Sequence, residues 1–95
     1  MRVLAPLLVL LLTLVACQPR TRTVHGVVID LQARDLAHAE AVSVRLDDGT
    51  EMRFKVADTV LFSASHLRQH MVFAEPVTVT YEEQAEGPLA VDIQD

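Results

Sequence analysis

Val42-Ser43-Val44-Arg45-Leu46-Asp47-Asp48-Gly49-Thr50-Glu51-Met52-Arg53-Phe54 reads as two strands and the turn between them. Apolar and polar residues alternate on both sides of Asp47-Asp48-Gly49, the period of a half-buried strand. The register follows from which residues are opposed, because directly opposed side chains must share a face. A two-residue turn at Asp48-Gly49 would set Leu46 against Glu51 and mix core with solvent. A three-residue loop, Asp47-Asp48-Gly49, sets Val44 against Met52, Val42 against Phe54 and Arg45 against Glu51. That arrangement is self-consistent. It is also the type I turn plus bulge whose last position needs positive φ, where Gly49 fits.

The same alternation extends outward along the chain. Met52, Phe54 and Val56 form the apolar face of the third strand, with Glu51, Arg53 and Lys55 opposite. In the first strand Val27, Ile29 and Leu31 are expected on one face. Val77, Val79 and Tyr81 alternate with Thr78 and Thr80, and Leu89, Val91 and Ile93 alternate with Ala90 and Asp92. Pairing Tyr81 with Leu89 would set Val79 on Val91 and Val77 on Ile93, leaving Glu82 to Pro88 as an acidic loop that places no demand on Gly87. Between the third and fourth strands, Ser63 or Ser65 can cap a short helix, and Leu67 with Met71 supplies its apolar stripe. Pro76 opens the fourth strand, where a missing donor is tolerable. Residues 33–41 lack an apolar stripe and read as a loop with room for one helical turn. The order strand, strand, strand, helix, strand, strand predicts a mainly β domain. The expected fold is a small five-stranded antiparallel OB-like barrel with one short helix between strands 3 and 4. Gly26 inside the first strand fits a bend at a barrel corner.

Upstream of these strands, Val3 to Ala16 is an apolar run of 14 residues behind Arg2 and the amino terminus. It is too short to cross a bilayer, which takes ~20 residues, and suits a secretory signal. Leu14-Val15-Ala16-Cys17 resembles the lipobox of bacterial lipoproteins processed by signal peptidase II. The resemblance implies a cleaved signal peptide at 1–16 and a lipidated Cys17. Residues 17–23 would form the lipidated cysteine and a short tether, and 24–95 the barrel domain. It also implies a place in the cell envelope, with the membrane as a partner through the lipid on Cys17. Gln18 after the cysteine implies the outer membrane where the host has two membranes, and otherwise the outer face of the plasma membrane. Two or more acyl chains anchor stably where one does not. Cys17 is the only cysteine, so no disulfide or cysteine metal cluster forms within one chain.

From Gly26 onward the chain is similar to small bacterial envelope domains. The stretches that carry this likeness are Gly26-Val27-Val28, Leu46-Asp47-Asp48-Gly49, Ser65-His66-Leu67-Arg68-Gln69-His70-Met71, Pro76-Val77-Thr78-Val79-Thr80-Tyr81 and Leu89-Ala90-Val91-Asp92-Ile93-Gln94-Asp95. It implies a small β-barrel and carries no residue roles with it.

Charge narrows the function classes. Arg2 is the single charged residue of the leader, so the mature chain keeps seven basic and thirteen acidic side chains, net −6. Such a domain repels phosphate backbones, which argues against nucleic acid as a partner. No glycine-rich phosphate loop or glycine-flanked serine is present, and Ser63 and Ser65 stand in a capping context. Asp47-Asp48 and Glu82-Glu83 are sequence neighbours whose side chains diverge. No catalytic residue and no cofactor are therefore expected. Phe54 and Tyr81 belong to the core by alternation, leaving Phe62 and Phe73 free to stack on a ligand. The leading expectation is a non-catalytic, lipid-anchored module that binds an envelope protein or glycan through one rim of the barrel. The alternative is a metal-handling protein for copper or zinc. His66 and His70 lie four apart on the helix, so their rings share a face. Met52 and Met71 are soft donors that would suit copper, although both fall on core faces. Periodicity does not bring His25 or His38 to the pair.

Overall fold

A computed structural model describes residues 20–95; the leader, Cys17 and residues 18 and 19 lie outside it. Five strands and one helix follow in the expected order: β1 (Thr21–Ala33), β2 (Ala39–Leu46), β3 (Glu51–Val56), α1 (Ala64–Phe73), β4 (Val77–Gln84) and β5 (Gly87–Gln94). The strands close into a barrel in the order β1-β2-β3-β5-β4. β1 begins at Thr21, so the last three residues assigned to the tether belong to the sheet. Residues 34–38 form a bend with no helical turn, and Ala39 to Ala41 already belong to β2.

The β2–β3 hairpin has the expected register, with Val44 opposite Met52, Val42 opposite Phe54 and Arg45 opposite Glu51. Gly49 sits at φ 88° and its N–H donates to the Leu46 carbonyl at 2.9 Å. Gly26 is needed for a different reason. It pairs with Leu46 of β2 and with Val77 of β4, at the point where β1 passes from one neighbour to the other. A Cβ there would lie 2.2 Å from the Arg45 carbonyl oxygen, so only glycine lets the strands approach.

Three expectations need correction. The barrel is not antiparallel throughout, because β3 and β5 pair in parallel. A ring of five strands cannot alternate direction at every step, so at least one parallel seam is forced. The core face of β1 is Val24, Gly26 and Val28, with Val27 and Ile29 turned away. A bulge at Ile29 then shifts the phase and returns Leu31 to the inside. The β4–β5 hairpin is tight, turning at Ala85-Glu86 with Gln84 opposite Gly87 and Glu82 opposite Leu89. Gly87 at φ 117° makes that turn, so the seven-residue acidic loop does not exist. A bulge at Val91 lets Tyr81 face Ala90 while Val79 faces Ile93, and Ala90 and Ile93 become the buried residues of β5. Each bulge adds one residue and so reverses the side-chain face beyond it.

Val28, Val42, Val44, Phe54, Val77 and Val79 fill the barrel. The Phe54 and Tyr81 rings meet inside it, with centroids 5.1 Å apart. α1 packs against β1 and sends Leu67, fully buried, into this same core. Burying a leucine stabilises by roughly 1.5–3 kcal/mol, so the helix is held to the barrel and not merely connected to it.

Candidate metal centre

The local sequence of α1 fixes where its histidines stand. The Ser63 hydroxyl caps the first turn, accepting from the His66 N–H at 3.1 Å, so its oxygen is committed to a structural bond. At the other end Ala74 takes a left-handed conformation, φ 54°. The Ala74 N–H donates to the Met71 carbonyl at 3.3 Å, and the Glu75 N–H to the His70 carbonyl at 2.9 Å. This is the paired-bond helix stop, and Pro76 follows it. With Leu67 anchored in the core, His66 and His70 project from one face, rings 4.9 Å apart.

Their surroundings differ. The His70 side chain is 6% exposed, that of His66 43%. The pair is therefore one buried and one half-exposed imidazole. His70 Nδ1 lies 3.2 Å from the Glu75 carbonyl oxygen. A carbonyl only accepts, so Nδ1 carries the proton of this bond, and in the neutral ring Nε2 keeps its lone pair. That lone pair faces the carboxylate of Asp95, with Nε2 3.8 Å from Oδ2. His66 Nε2 lies 3.7 Å from the same oxygen. Two imidazole nitrogens and a carboxylate thus converge, with ligand atoms of all three residues within 4.8 Å of one another.

Lone pairs that face one another are satisfied by a cation between them. A tetrahedral ion bonded at ~2.05 Å to each ligand holds them about 3.4 Å apart. The two Asp95 spacings are a few tenths of an ångström above that, and the widest spacing in the group is 4.8 Å. A ligating histidine whose other ring nitrogen donates to a backbone carbonyl is the usual supporting arrangement in metal sites. His70 and Glu75 reproduce it. Two nitrogens and one oxygen suit a borderline divalent ion such as Zn²⁺ or Cu²⁺. Met52 and Met71 pack against the hydrophobic core.

The remaining residues singled out in the sequence go elsewhere. His25 pairs with Asp47 at 3.4 Å, and His38 with Asp35 at 3.0 Å. Phe73 is exposed at the end of the helix, whereas Phe62 stacks on His66 with centroids 4.1 Å apart and planes 9° from parallel. Asp95 is the member that sequence reasoning missed. Helical spacing joins His66 to His70, but no periodicity connects them to a carboxylate beyond the last strand. A separate groove, a cavity of about 390 Å³, is lined by Gln32, Glu40, Arg53, Lys55 and Glu86 among others. Its cations are already paired, Arg53 with Asp30 at 3.6 Å and Lys55 with Glu86 at 3.6 Å.

No protein-family model matches the chain, and no curated protein is similar to it. Among solved structures the barrel is similar to that of apo-CusF, residues 6–88, from Escherichia coli. The two chains share 16% identity and superpose with a TM-score of 0.56, over 82% of this chain and 89% of the other. At that identity the likeness is one of fold, a small closed OB-like barrel.

Proposed function

We propose that this protein binds one divalent transition-metal ion, Zn²⁺ or Cu²⁺, through His66 Nε2, His70 Nε2 and the Asp95 carboxylate. The observation that carries this reading is the convergence of those three groups around a buried imidazole whose other nitrogen is tied to Glu75. The acidic chain supports it from a distance, since a negative field raises the local concentration of cations. The similar barrel is described in an apo form, which accords with ligand binding by this architecture. Three protein donors leave a coordination position for water or for a donor from elsewhere. The protein works in the bacterial envelope, held there by lipid on Cys17, with α1 and Asp95 on the part of the barrel away from the Thr21 end of β1. Metal recognition is preferred to the broader reading of a protein- or glycan-binding rim, because the buried His70 and the half-exposed His66 both direct a ring nitrogen at Asp95.

Calorimetric titration of the detergent-solubilised full chain with Zn²⁺ and with Cu²⁺ tests the site. One ion per chain, with binding that weakens as the imidazoles protonate, is expected. A flat titration with both ions refutes the reading. Radiolabelled palmitate tests the anchor: wild type incorporates label, and Cys17→Ser stays as an unlabelled precursor.

A further inference from the structure

We propose that Phe62 is a positioning residue for this metal centre, holding the His66 imidazole at the angle from which it can ligate; the proposal rests on the metal-binding reading. Phe62 lies just before the cap residue Ser63 and four residues before His66, so the chain delivers it to the helix face that carries both histidines. Its ring lies parallel to the His66 imidazole, 9° and 4.1 Å away, and presents its edge to His70 at 5.4 Å and 65°. Phe62 is itself packed against the core. The stack therefore couples a half-exposed ligand to the rigid interior.

His66 needs that coupling more than His70 does. Burial and the bond to Glu75 hold His70. The His66 side chain is 43% exposed and 3.7 Å from Asp95. A parallel ring across one imidazole face restricts rotation and keeps Nε2 directed at Asp95, so less freedom is lost on binding. The same stack strengthens when the imidazole takes on positive character from a bound cation, because the face of phenylalanine is electron-rich. Phe62 supplies no donor atom and acts through His66.

The test compares wild type, Phe62→Leu and Phe62→Tyr as full chains in detergent micelles, with Zn²⁺ alone as the probe. Phe62→Leu should weaken Zn²⁺ binding by about 10–100-fold, as lost outer supports of metal ligands do. In the metal-free protein it should also remove the ring-current shift of the His66 ring protons seen by NMR. Phe62→Tyr keeps the stack and should retain both properties. Unchanged ring-proton shifts and unchanged affinity in Phe62→Leu overturn the proposal. So does a lowered melting temperature with unchanged affinity, which would make Phe62 a packing residue alone. Where Phe62→Leu does not fold, Phe62→Met is judged by the same two readouts. A wild type that takes up no Zn²⁺ refutes the metal reading itself. The NMR shifts, measured without metal, still decide whether Phe62 sets the ring of His66.

Discussion

Asp35 and Asp95 each hold an imidazole nearby, and the contrast between them separates a turn from a site. At the bend between β1 and β2, His38 Nδ1 lies 3.0 Å from Asp35. The same Asp35 oxygen already accepts the backbone N–H of Ala37 at 2.9 Å and of His38 at 2.8 Å. Its lone pairs are spent on its own loop, and both groups are about half exposed. Asp95 has no backbone donor among the described residues and faces two nitrogens on another element, one of them buried. Proximity of histidine to carboxylate is thus common to both places. What distinguishes the second is an acceptor with no local work and a neighbour that cannot turn to water.

Replacing His70 should have the largest effect. His70→Ala removes a donor and leaves the Glu75 carbonyl without its side-chain partner. Zn²⁺ affinity measured by calorimetry should fall on the order of 100-fold, about 2.7 kcal/mol. His38→Ala should leave the titration unchanged, and a comparable loss there would dissolve the contrast. Asp95→Asn keeps the shape but removes the charge, and about a tenfold weakening is expected by the same titration. Asp35→Asn should not move it.

A smaller effect sharpens the account of how His70 is held. Ala74 is a left-handed residue with a Cβ, a conformation that glycine adopts without strain. Ala74→Gly should raise stability in denaturant melts by about 0.5 kcal/mol and leave Zn²⁺ affinity within about twofold. A loss of affinity would mean that the Cβ, and not the turn, shapes the site.

The smallest effect belongs to the other carboxylate. The hydrogen bond from the His38 side chain, followed by that from its backbone N–H, lowers the Asp35 carboxyl below its usual range. The charged form is thus favoured in the folded state. This contribution is present above the unfolded value of ~3.9 and is lost as pH falls through the lower folded value. Asp35→Asn should therefore lose less stability than wild type as pH falls below about 4 toward the lower folded value. Because the group is about half exposed to solvent the difference should be slight. Parallel loss in the two proteins, followed by urea midpoints, would deny the loop carboxylate any role.

How much of this was legible follows from where regularity breaks. The β2–β3 hairpin could be read to the residue because both strands keep their period and Gly49 leaves one loop length. β1 and β5 alternate as cleanly in sequence, yet Ile29 and Val91 are bulged and reverse the faces of their neighbours. Nothing in residue type marks a bulge that a valine or isoleucine occupies. The helix and its cap could be read from Ser63, Leu67 and Met71, and the two histidines came with it. Asp95 and the Glu75 carbonyl could not, since one requires closure of the barrel and the other a left-handed alanine. Phe62 was expected free for a ligand and is instead spent on His66.

The parallel seam between β3 and β5 consists of two residue pairs, Lys55 with Leu89 and Val56 with Ala90, extended by the Ala57 N–H to Ala90 carbonyl bond at 2.9 Å. Every consecutive strand pair except β3–β4 is a hairpin that can form from nearby chain. The seam alone joins the β1–β2–β3 meander directly to the last strand. Long-range pairings gather late because their loop closure costs entropy before contacts repay it. Two long-range pairings close the ring, six residue pairs between β1 and β4 and two at this seam, so opening should begin at the seam, which has the fewer bonds to break. In a hydrogen-exchange experiment the Ala57 amide should exchange ahead of the Val44 and Phe54 amides, and slower exchange at Ala57 would reverse that order. The barrel is in this sense a ring with a clasp, and the clasp is its shortest part.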